Sequence, residues 1–373
     1  MRFKRKKTIG GLSVRLLICA GGTGGGVYPA LAVHSALMAK VPGLDTLWVG
    51  GEGGMEETLV KRQGISIRVI PAAGVHGVGM AALPRNLVTI MRGIFAARRI
   101  LSDFKPDVMF FTGGYVAVPV ALAGHSIPTL LYVPDIEPGM ALKSLAGMAD
   151  VIMVTTDESQ KFFNKKVYEA GYPLRADLAL WDRQTASQHL GITGRSPVVL
   201  VFGGSKGAHS INQAVLKNLR VLLSKFELIH ITGEPDWQTV KDAQSRLPVN
   251  LAARYHAMPY VHEMGAALAS ADLVVSRAGA SSLGEYPLFG LPAILVPYPH
   301  AWRYQKVNAD YLTRRGAAVI LEDHRLDEEL LSTVTVLTDN PNKMKAMRAA
   351  MFQLSHPRAA EKIASALMEL TGA

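Results

Sequence analysis

Two stretches decide the fold: ICA-GGTGGG-VYPALAV at residues 18–33 and LVF-GGSKGA-HSINQAV at 200–215. Each runs from a short continuous apolar segment through a glycine cluster into a longer apolar-periodic segment. That order predicts a strand, a tight turn and a helix. A strand that ends in glycines and opens a helix brings backbone N–H groups and a helix N-terminus close to an anion. Neither loop is a P-loop, because the GxxxxGK[ST] spacing is absent. The first does not fit GxGxxG either: counting from Gly22, the third glycine position is Val27. This register speaks against a dinucleotide oxidoreductase. A tight strand–helix turn without a ligand explains one such loop. Two of them, one in each half, point to a ligand held in a cleft between two domains.

The same alternation extends outward from both loops. Strands are expected at 14–20, 45–50, 66–70, 107–111, 128–132 and 150–154, with helices at 28–40, 55–63, 84–102 and 116–124. In the second half, strands are expected at 197–202, 227–232, 272–276, 292–296 and 318–321. Helices fall around 207–224, 236–245, 262–270, 280–289, 303–315 and 326–338. Continuous apolar strands alternating with helices predict an α/β protein with parallel sheets covered on both faces. The segment 172–197 lacks a strong period and ends in turn residues. The organisation expected is a basic tail at 1–13, a first domain at 14–177, a second at 178–350, and a final helix at 351–373 returning to the first.

The chain has 373 residues, 49% of them hydrophobic and 19% charged, which excludes a disordered protein and a disulfide-stapled miniprotein. One cysteine, Cys19, excludes an internal disulfide framework and cysteine-based zinc sites. It sits in the apolar run Leu16–Cys19 and is expected to be a buried small hydrophobe. The histidines show no HxxxH or HExxH spacing, which disfavours zinc. The formal net charge is +10. Residues 1–180 carry 20 Lys and Arg against 13 Asp and Glu, and the remainder 20 against 17, so the excess lies mainly in the first half. Such a balance suits phosphorylated ligands, an anionic membrane or nucleic acid. Nucleic acid is disfavoured, because basic and aromatic residues do not interleave as in single-strand binders. No apolar stretch is long enough to span a bilayer. MRFKRKK at the start is not followed by a secretory h-region, so a cytoplasmic location is expected.

A second constellation, SRAGASSLGEYPLFGLPAILVPYPHAWRYQKVNA at 276–309, places Gly279 between a buried strand and a helix, whose N-terminus at 280–282 can face a phosphate. Glu285, about one turn in, can accept hydrogen bonds from a ribose diol or can simply face water. Tyr304, Gln305 and Asn308 leave the same choice between sugar hydroxyls and solvent.

These stretches, with GGYVAVPVALA at 113–123 and GYPLR at 171–175, resemble the MurG family of UDP-GlcNAc transferases, which convert lipid I to lipid II in peptidoglycan synthesis. The resemblance covers about 14–370 and implies the GT-B architecture: two Rossmann-like domains facing a cleft, with the C-terminal helix crossing back. It implies UDP-GlcNAc as donor substrate without a cofactor or metal, and inverting transfer to an undecaprenyl-linked acceptor. By the same resemblance, Gly204 and Ser205 contact the UDP pyrophosphate, Arg175 closes onto the nucleotide, and Val261 reads uracil. Ala280 and Glu285 hold phosphate and ribose, and Gln305 holds GlcNAc hydroxyls. Gly22, Thr23, Gly24, Gly25, Gly26 and Tyr115 match the acceptor side, where the lipid diphosphate is expected.

The chain departs from the family on that acceptor side. The family's first loop ends in histidine where this chain has Gly26. Its His-Glu-Gln-Asn motif reads Tyr132-Val133-Pro134-Asp135 here. The attacking hydroxyl needs a proton acceptor within hydrogen-bond reach. Asp135 is the first candidate base and Glu137 the second. Against this, Asp135 can cap the turn or helix that follows. The pair also resembles a metal-binding DxD. The changes open a different lipid-linked acceptor, or a UDP-sugar-binding homologue without turnover, as alternatives. Finally, LPRNLVTIMRGIFAARRILS at 83–102 pairs Leu87, Ile90, Met91, Ile94 and Phe95 with Arg85, Arg92, Arg98 and Arg99. This pattern fits either an ordinary core-packing helix or peripheral docking on the anionic inner leaflet. A lipid-linked acceptor reached from the cytoplasmic face favours docking.

Overall fold

The structure is a computed structural model that describes residues 14–21, 24–54, 56–73, 83–299 and 304–372. The chain divides into two compact units, 1–175 with 357–373, and 176–356.

The first unit runs β1 (Arg15–Cys19), α1 (Gly24–Lys40), β2 (Asp45–Gly51), α2 (Glu56–Arg62), β3 (Ser66–Ile70), α3 (Leu83–Phe104), β4 (Val108–Phe111), α4 (Ala117–Ala123), β5 (Thr129–Val133), α5 (Met140–Ala146), β6 (Val151–Val154) and β7 (Tyr168–Glu169). Its strands form one parallel sheet in the order β3-β2-β1-β4-β5-β6-β7. The central strands β1, β4 and β5 are almost wholly buried, as their unbroken apolar runs demand. Side chains alternate between two cores. Leu17, Cys19, Met109, Phe111 and Leu131 join one; Leu16, Ile18, Phe110, Leu130 and Tyr132 join the other.

The second unit runs α6 (Arg183–Leu190), β8 (Val198–Phe202), α7 (His209–Lys225), β9 (Glu227–Ile231), α8 (Trp237–Ser245), α9 (Val249–Ala252), β10 (Tyr255–Met258), α10 (Met264–Ser270), β11 (Leu273–Ser276), α11 (Glu285–Phe289), β12 (Ala293–Leu295), α12 (Tyr304–Arg314), β13 (Ala318–Ile320), α13 (Leu326–Thr338) and α14 (Pro341–Phe352). Its parallel sheet is ordered β10-β9-β8-β11-β12-β13. The last helix, α15 (Ala359–Thr371), belongs to the first unit, where Ile363, Ala364 and Leu367 enter the core beside α1. Lys40 of α1 donates to the Ser365 hydroxyl at 2.9 Å. A cut at 350 would fall inside α14; the chain passes from one unit to the other between His356 and Pro357.

Two helices differ from expectation. Helix α1 begins at Gly24, four residues before the expected start at 28. Its first turn is made of glycines, whose weak helix propensity hides the start from a periodicity reading. The helix expected over 280–289 is two pieces: a single 3-10 turn at Ala280–Leu283, then α11. Gly284 separates them, so Glu285 is the first residue of its own helix and not one turn into a continuous one.

Candidate active site

In a doubly wound sheet, ligands bind at the carboxyl ends of strands where the order reverses. In the first unit that point lies between β1 and β4. Gly24, Gly25 and Gly26 form the first turn of α1, which carries no acidic residue. Gly22 and Thr23 lie outside the described residues. The turn is pinned from several sides. Trp48 Nε1 donates to the Ala20 carbonyl at 2.9 Å, and Thr112 Oγ1 to the Gly26 carbonyl at 2.7 Å. Gly114, at φ +90°, lies so close to Gly21 that a Cβ there would stand 3.0 Å from the Gly21 carbonyl oxygen. That close approach, in a left-handed conformation, requires glycine. The buried Glu56 carboxylate accepts from Gly51 N at 2.9 Å and lies against Gly21. Tyr115 follows Gly114 and is exposed. The structure therefore gathers the described part of the first glycine loop and Tyr115 on one edge.

At Gly26 a Cβ would meet Thr112 O at 3.4 Å, an ordinary contact, so the absence of a side chain there is not imposed by crowding. Cys19, just before the loop, is buried; burial above all, and then the Glu56 charge, pushes its thiol up. That favours the neutral thiol and keeps it as packing.

The next edge position along the sheet is the turn after β5. Tyr132 is fully buried, its hydroxyl 2.7 Å from Thr155 Oγ1 and 3.0 Å from the Gly171 carbonyl. Burial pushes its phenol up; the Thr155 hydrogen bond opposes this and the Asp135 charge adds to it. Tyr132 is thus a neutral strut where the family has a histidine. Thr155 Oγ1 donates to the Pro134 carbonyl at 2.7 Å and Ser159 Oγ to the Ile136 carbonyl at 2.8 Å. Asp135, half-buried, stands on a turn held on both sides. It does not cap α5, whose N-cap is Gly139 without a side-chain bond. Glu137 is buried, with Lys143 Nζ 3.8 Å from its carboxylate. No group of three or more metal-ligating side chains is found among the described residues.

Arg175, expected on the nucleotide, belongs to the first unit, where its guanidinium stands 5.0 Å above the ring of Tyr28 in α1. On α3, Leu87, Val88, Met91 and Phe95 are exposed beside exposed Arg85, Arg92, Arg98 and Arg99. Ile90 and Ile94 are half-buried, and only Ala97 and Leu101 of its C-terminal half join the core. No helix among the described residues is long and apolar enough to cross a membrane.

In the second unit the order reverses between β8 and β11. The loop after β8 exposes Gly204, Ser205 and Lys206. Gly207, at φ +76°, packs so tightly on β9 that a Cβ would lie 2.1 Å from the Thr232 carbonyl oxygen. After β11 come Gly279, the buried Ala280 and the half-buried Glu285. Val261 is half-buried beside the exposed Tyr260. Gln305 Oε1 accepts from Tyr298 N at 2.8 Å, which fixes the loop after β12. Asn308 is wholly buried and donates to the Ala278 carbonyl at 3.1 Å, so it faces neither solvent nor a sugar. His300 lies outside the described residues.

Sequence reasoning passed over the ties beneath these loops. Arg277 donates to Ser210 Oγ at 2.8 Å and to the Val296 carbonyl at 3.1 Å, and it pairs with Asp323. It joins the start of α7, the ends of β11 and β12, and the turn after β13. Its place in the SRAG stretch was a signal; Asp323 and Ser210 had none, since only the sheet order brings them together. The same holds for Trp48, Glu56 and Thr112.

Residues 16–154 match the N-terminal domain of glycosyltransferase family 28, and 198–363 match its C-terminal domain. A protein of Roseiflexus sp. named UDP-N-acetylglucosamine–N-acetylmuramyl-(pentapeptide) pyrophosphoryl-undecaprenol N-acetylglucosamine transferase is 37% identical, covering 96% of this chain and 95% of that one. A protein of the same name from Desulforudis audaxviator is 36% identical, over 96% and 99%. The crystal structure of Acinetobacter baumannii MurG superposes with a TM-score of 0.76 at 27% identity, over 95% and 99%. The chain belongs to glycosyltransferase family 28 and, within it, to the MurG family.

Proposed function

We propose that this protein transfers GlcNAc from UDP-GlcNAc to lipid I, undecaprenyl-diphospho-MurNAc-pentapeptide, forming lipid II with inversion. The observation that carries the reading is full-length kinship with transferases of that name, on a chain with a glycine loop at the switch point of each sheet. In the second unit, Gly204, Ser205 and the N-terminus of α7 present amides and a hydroxyl to the UDP diphosphate, and that preorganised field stabilises the leaving group. Ala280 lies on the diphosphate, Val261 reads the uracil, Glu285 takes the ribose diol and Gln305 the sugar. In the first unit, Gly22 to Gly26 and Tyr115 receive the acceptor diphosphate.

Asp135 takes the proton from the attacking hydroxyl. It stands on a turn fixed by Thr155 and Ser159, so its carboxylate is placed in advance, as general-base catalysis requires. Glu137, buried against Lys143, is the weaker candidate. The exposed Leu87, Val88, Met91 and Phe95 of α3 enter the interface of an anionic inner leaflet, with the arginines on its phosphates. This places the protein on the cytoplasmic face of the cell membrane as a peripheral enzyme. UDP-GlcNAc is a substrate, and no cofactor is required by this scheme.

The test is UDP release with UDP-GlcNAc and lipid I. Wild type turns over, and Asp135→Asn falls by about 100-fold or more with the KM for UDP-GlcNAc unchanged. Wild-type turnover by Asp135→Asn removes Asp135 as base. Turnover only with another prenyl-diphosphate-linked sugar replaces the acceptor, and nucleotide-sugar binding without any turnover replaces the enzyme reading.

A further inference from the structure

Arg175 is fixed within the first unit by more than its own side chain. Just before it, Ala170 N donates to the Val154 carbonyl at 2.9 Å. Gly171, at φ +91°, turns the chain, with its carbonyl 3.0 Å from the Tyr132 hydroxyl. Tyr172 and Pro173 are buried. The guanidinium then stands 5.0 Å above the centre of the Tyr28 ring. That ring in turn lies against Gly24, where a Cβ would be 3.0 Å from Tyr28 Cε2. A delocalised cation is thus carried on an aromatic face directly beside the glycine turn that opens α1.

A stacked guanidinium uses its flat face on the ring, and its N–H groups lie in its own plane. Cation–π stacking and edge-on bidentate hydrogen bonding to phosphate are therefore compatible in one side chain. The glycine turn offers a diphosphate backbone amides and the positive end of α1, with no acidic residue in that turn to oppose it. Those partial charges do not neutralise a diphosphate, and a full positive charge does. We propose that Arg175 binds the diphosphate of the lipid-linked acceptor, and that Tyr28 is the positioning residue that holds it at the first glycine loop. The assignment rests on the acceptor reading above. It moves Arg175 from the nucleotide to the acceptor, and makes Tyr28, whose sequence position alone gave no such role, part of acceptor selection.

The experiment uses the full chain in two arms. In the first, binding of a short-chain prenyl diphosphate is measured by calorimetry with UDP saturating the nucleotide site. Arg175→Ala weakens binding by about ten-fold or more, as expected for loss of a charged hydrogen-bonding partner. Arg175→Lys recovers part of it. Tyr28→Leu weakens binding in the same direction, and Tyr28→Phe, which keeps the ring face, binds as wild type does. In the second arm, steady-state kinetics with a short-chain lipid I show the same order in the acceptor KM, with the KM for UDP-GlcNAc within two-fold. Unfolding midpoints equal to wild type establish that each variant is folded. If wild type binds prenyl diphosphate with this pattern but does not turn over, the proposed transfer fails and the Arg175 assignment stands. If Arg175→Ala binds prenyl diphosphate as tightly as wild type, if wild type does not bind it, or if only the KM for UDP-GlcNAc rises, the assignment is overturned.

Discussion

Beneath the second glycine loop lies a chain of side chains whose proton positions follow from geometry, and it predicts how the second unit responds to acid. Asn212 Nδ2 donates to the Thr232 carbonyl at 2.8 Å and to Asp236 Oδ2 at 2.7 Å. Its Oδ1 therefore accepts, and His230 Nε2, 3.0 Å away, carries the proton. His230 Nδ1 then accepts from the Tyr255 hydroxyl at 2.8 Å. The neutral ring is fully satisfied, and a second proton would leave the Tyr255 hydroxyl without its acceptor. Burial lowers the His230 pKa from 6.5 to about 4, against a smaller opposite pull from Asp236. Because the folded value is depressed, the unfolded chain takes the proton first as pH falls. The contribution of neutral His230 is complete above pH 6.5 and is lost progressively towards pH 4. Integrated between those values, the loss at pH 5 is about 2 kcal/mol. The assay is urea titration at pH 7.5 and pH 5.0, read by proteolysis with peptide mass spectrometry so that cleavage around β8 and β9 is scored separately. Wild type loses about 2 kcal/mol more than His230→Gln between the two pH values. Equal losses in the two proteins refute the assignment of His230 as a buried neutral group.

Two further outcomes follow from local geometry. Gly207→Ala forces a Cβ to within 2.1 Å of the Thr232 carbonyl oxygen at φ +76°; it costs about 1–3 kcal/mol or more and raises the KM for UDP-GlcNAc, and unchanged stability in a urea titration contradicts this packing. Met91→Glu with Phe95→Glu, both on the exposed face of α3, removes about 3 kcal/mol of apolar burial at an interface and lowers co-sedimentation with phosphatidylglycerol vesicles by more than about ten-fold; binding equal to wild type removes α3 as the docking face.

The alternation of apolar runs and helices was enough to place the strands of both sheets, because buried parallel strands have little choice of composition. The short strand β10 and the pair β7 escaped, since Tyr255-His256-Ala257-Met258 and Tyr168-Glu169 carry no apolar run. The glycines were legible as turns, and the reasons for them were not. Gly114 is glycine because of Gly21, and Gly207 because of Thr232, contacts made only when distant strands are assembled. Buried polar groups failed for the same reason. Asn308 and Glu56 read as surface residues by type, and each is buried because a backbone partner waits for it in the fold. Conversely, α3 carried an apolar pattern that composition could assign to a core, while the sheet leaves its N-terminal half uncovered.

The departure at Gly26 is tolerable because nothing that shapes the first loop uses a side chain at that position. Trp48, Glu56, Thr112 and Gly114 act on Ala20, Gly21, Gly51 and the Gly26 carbonyl. The loop keeps its form whatever residue 26 is, so a catalytic group can be lost there without cost to the fold, provided another edge supplies it. The turn after β5 is such an edge, one strand from β4 in the same sheet. Its change from the family pattern is coordinated: the histidine position becomes the buried strut Tyr132, and Asp135 stands on the turn that this strut and Thr155 hold. If both edges serve one acceptor hydroxyl, a histidine restored at residue 26 should compensate for loss of the carboxylate. The Cβ it needs meets only ordinary contacts. Gly26→His in an Asp135→Asn background is expected to recover about ten-fold or more of the lost turnover, with a pH–rate profile whose basic limb shifts toward that of an imidazole. Recovery without that shift would mean that the histidine acts on acceptor binding and not on the proton. No recovery would mean that Asp135 contributes something other than proton acceptance, and the two edges would then have to be treated as separate parts of the acceptor site.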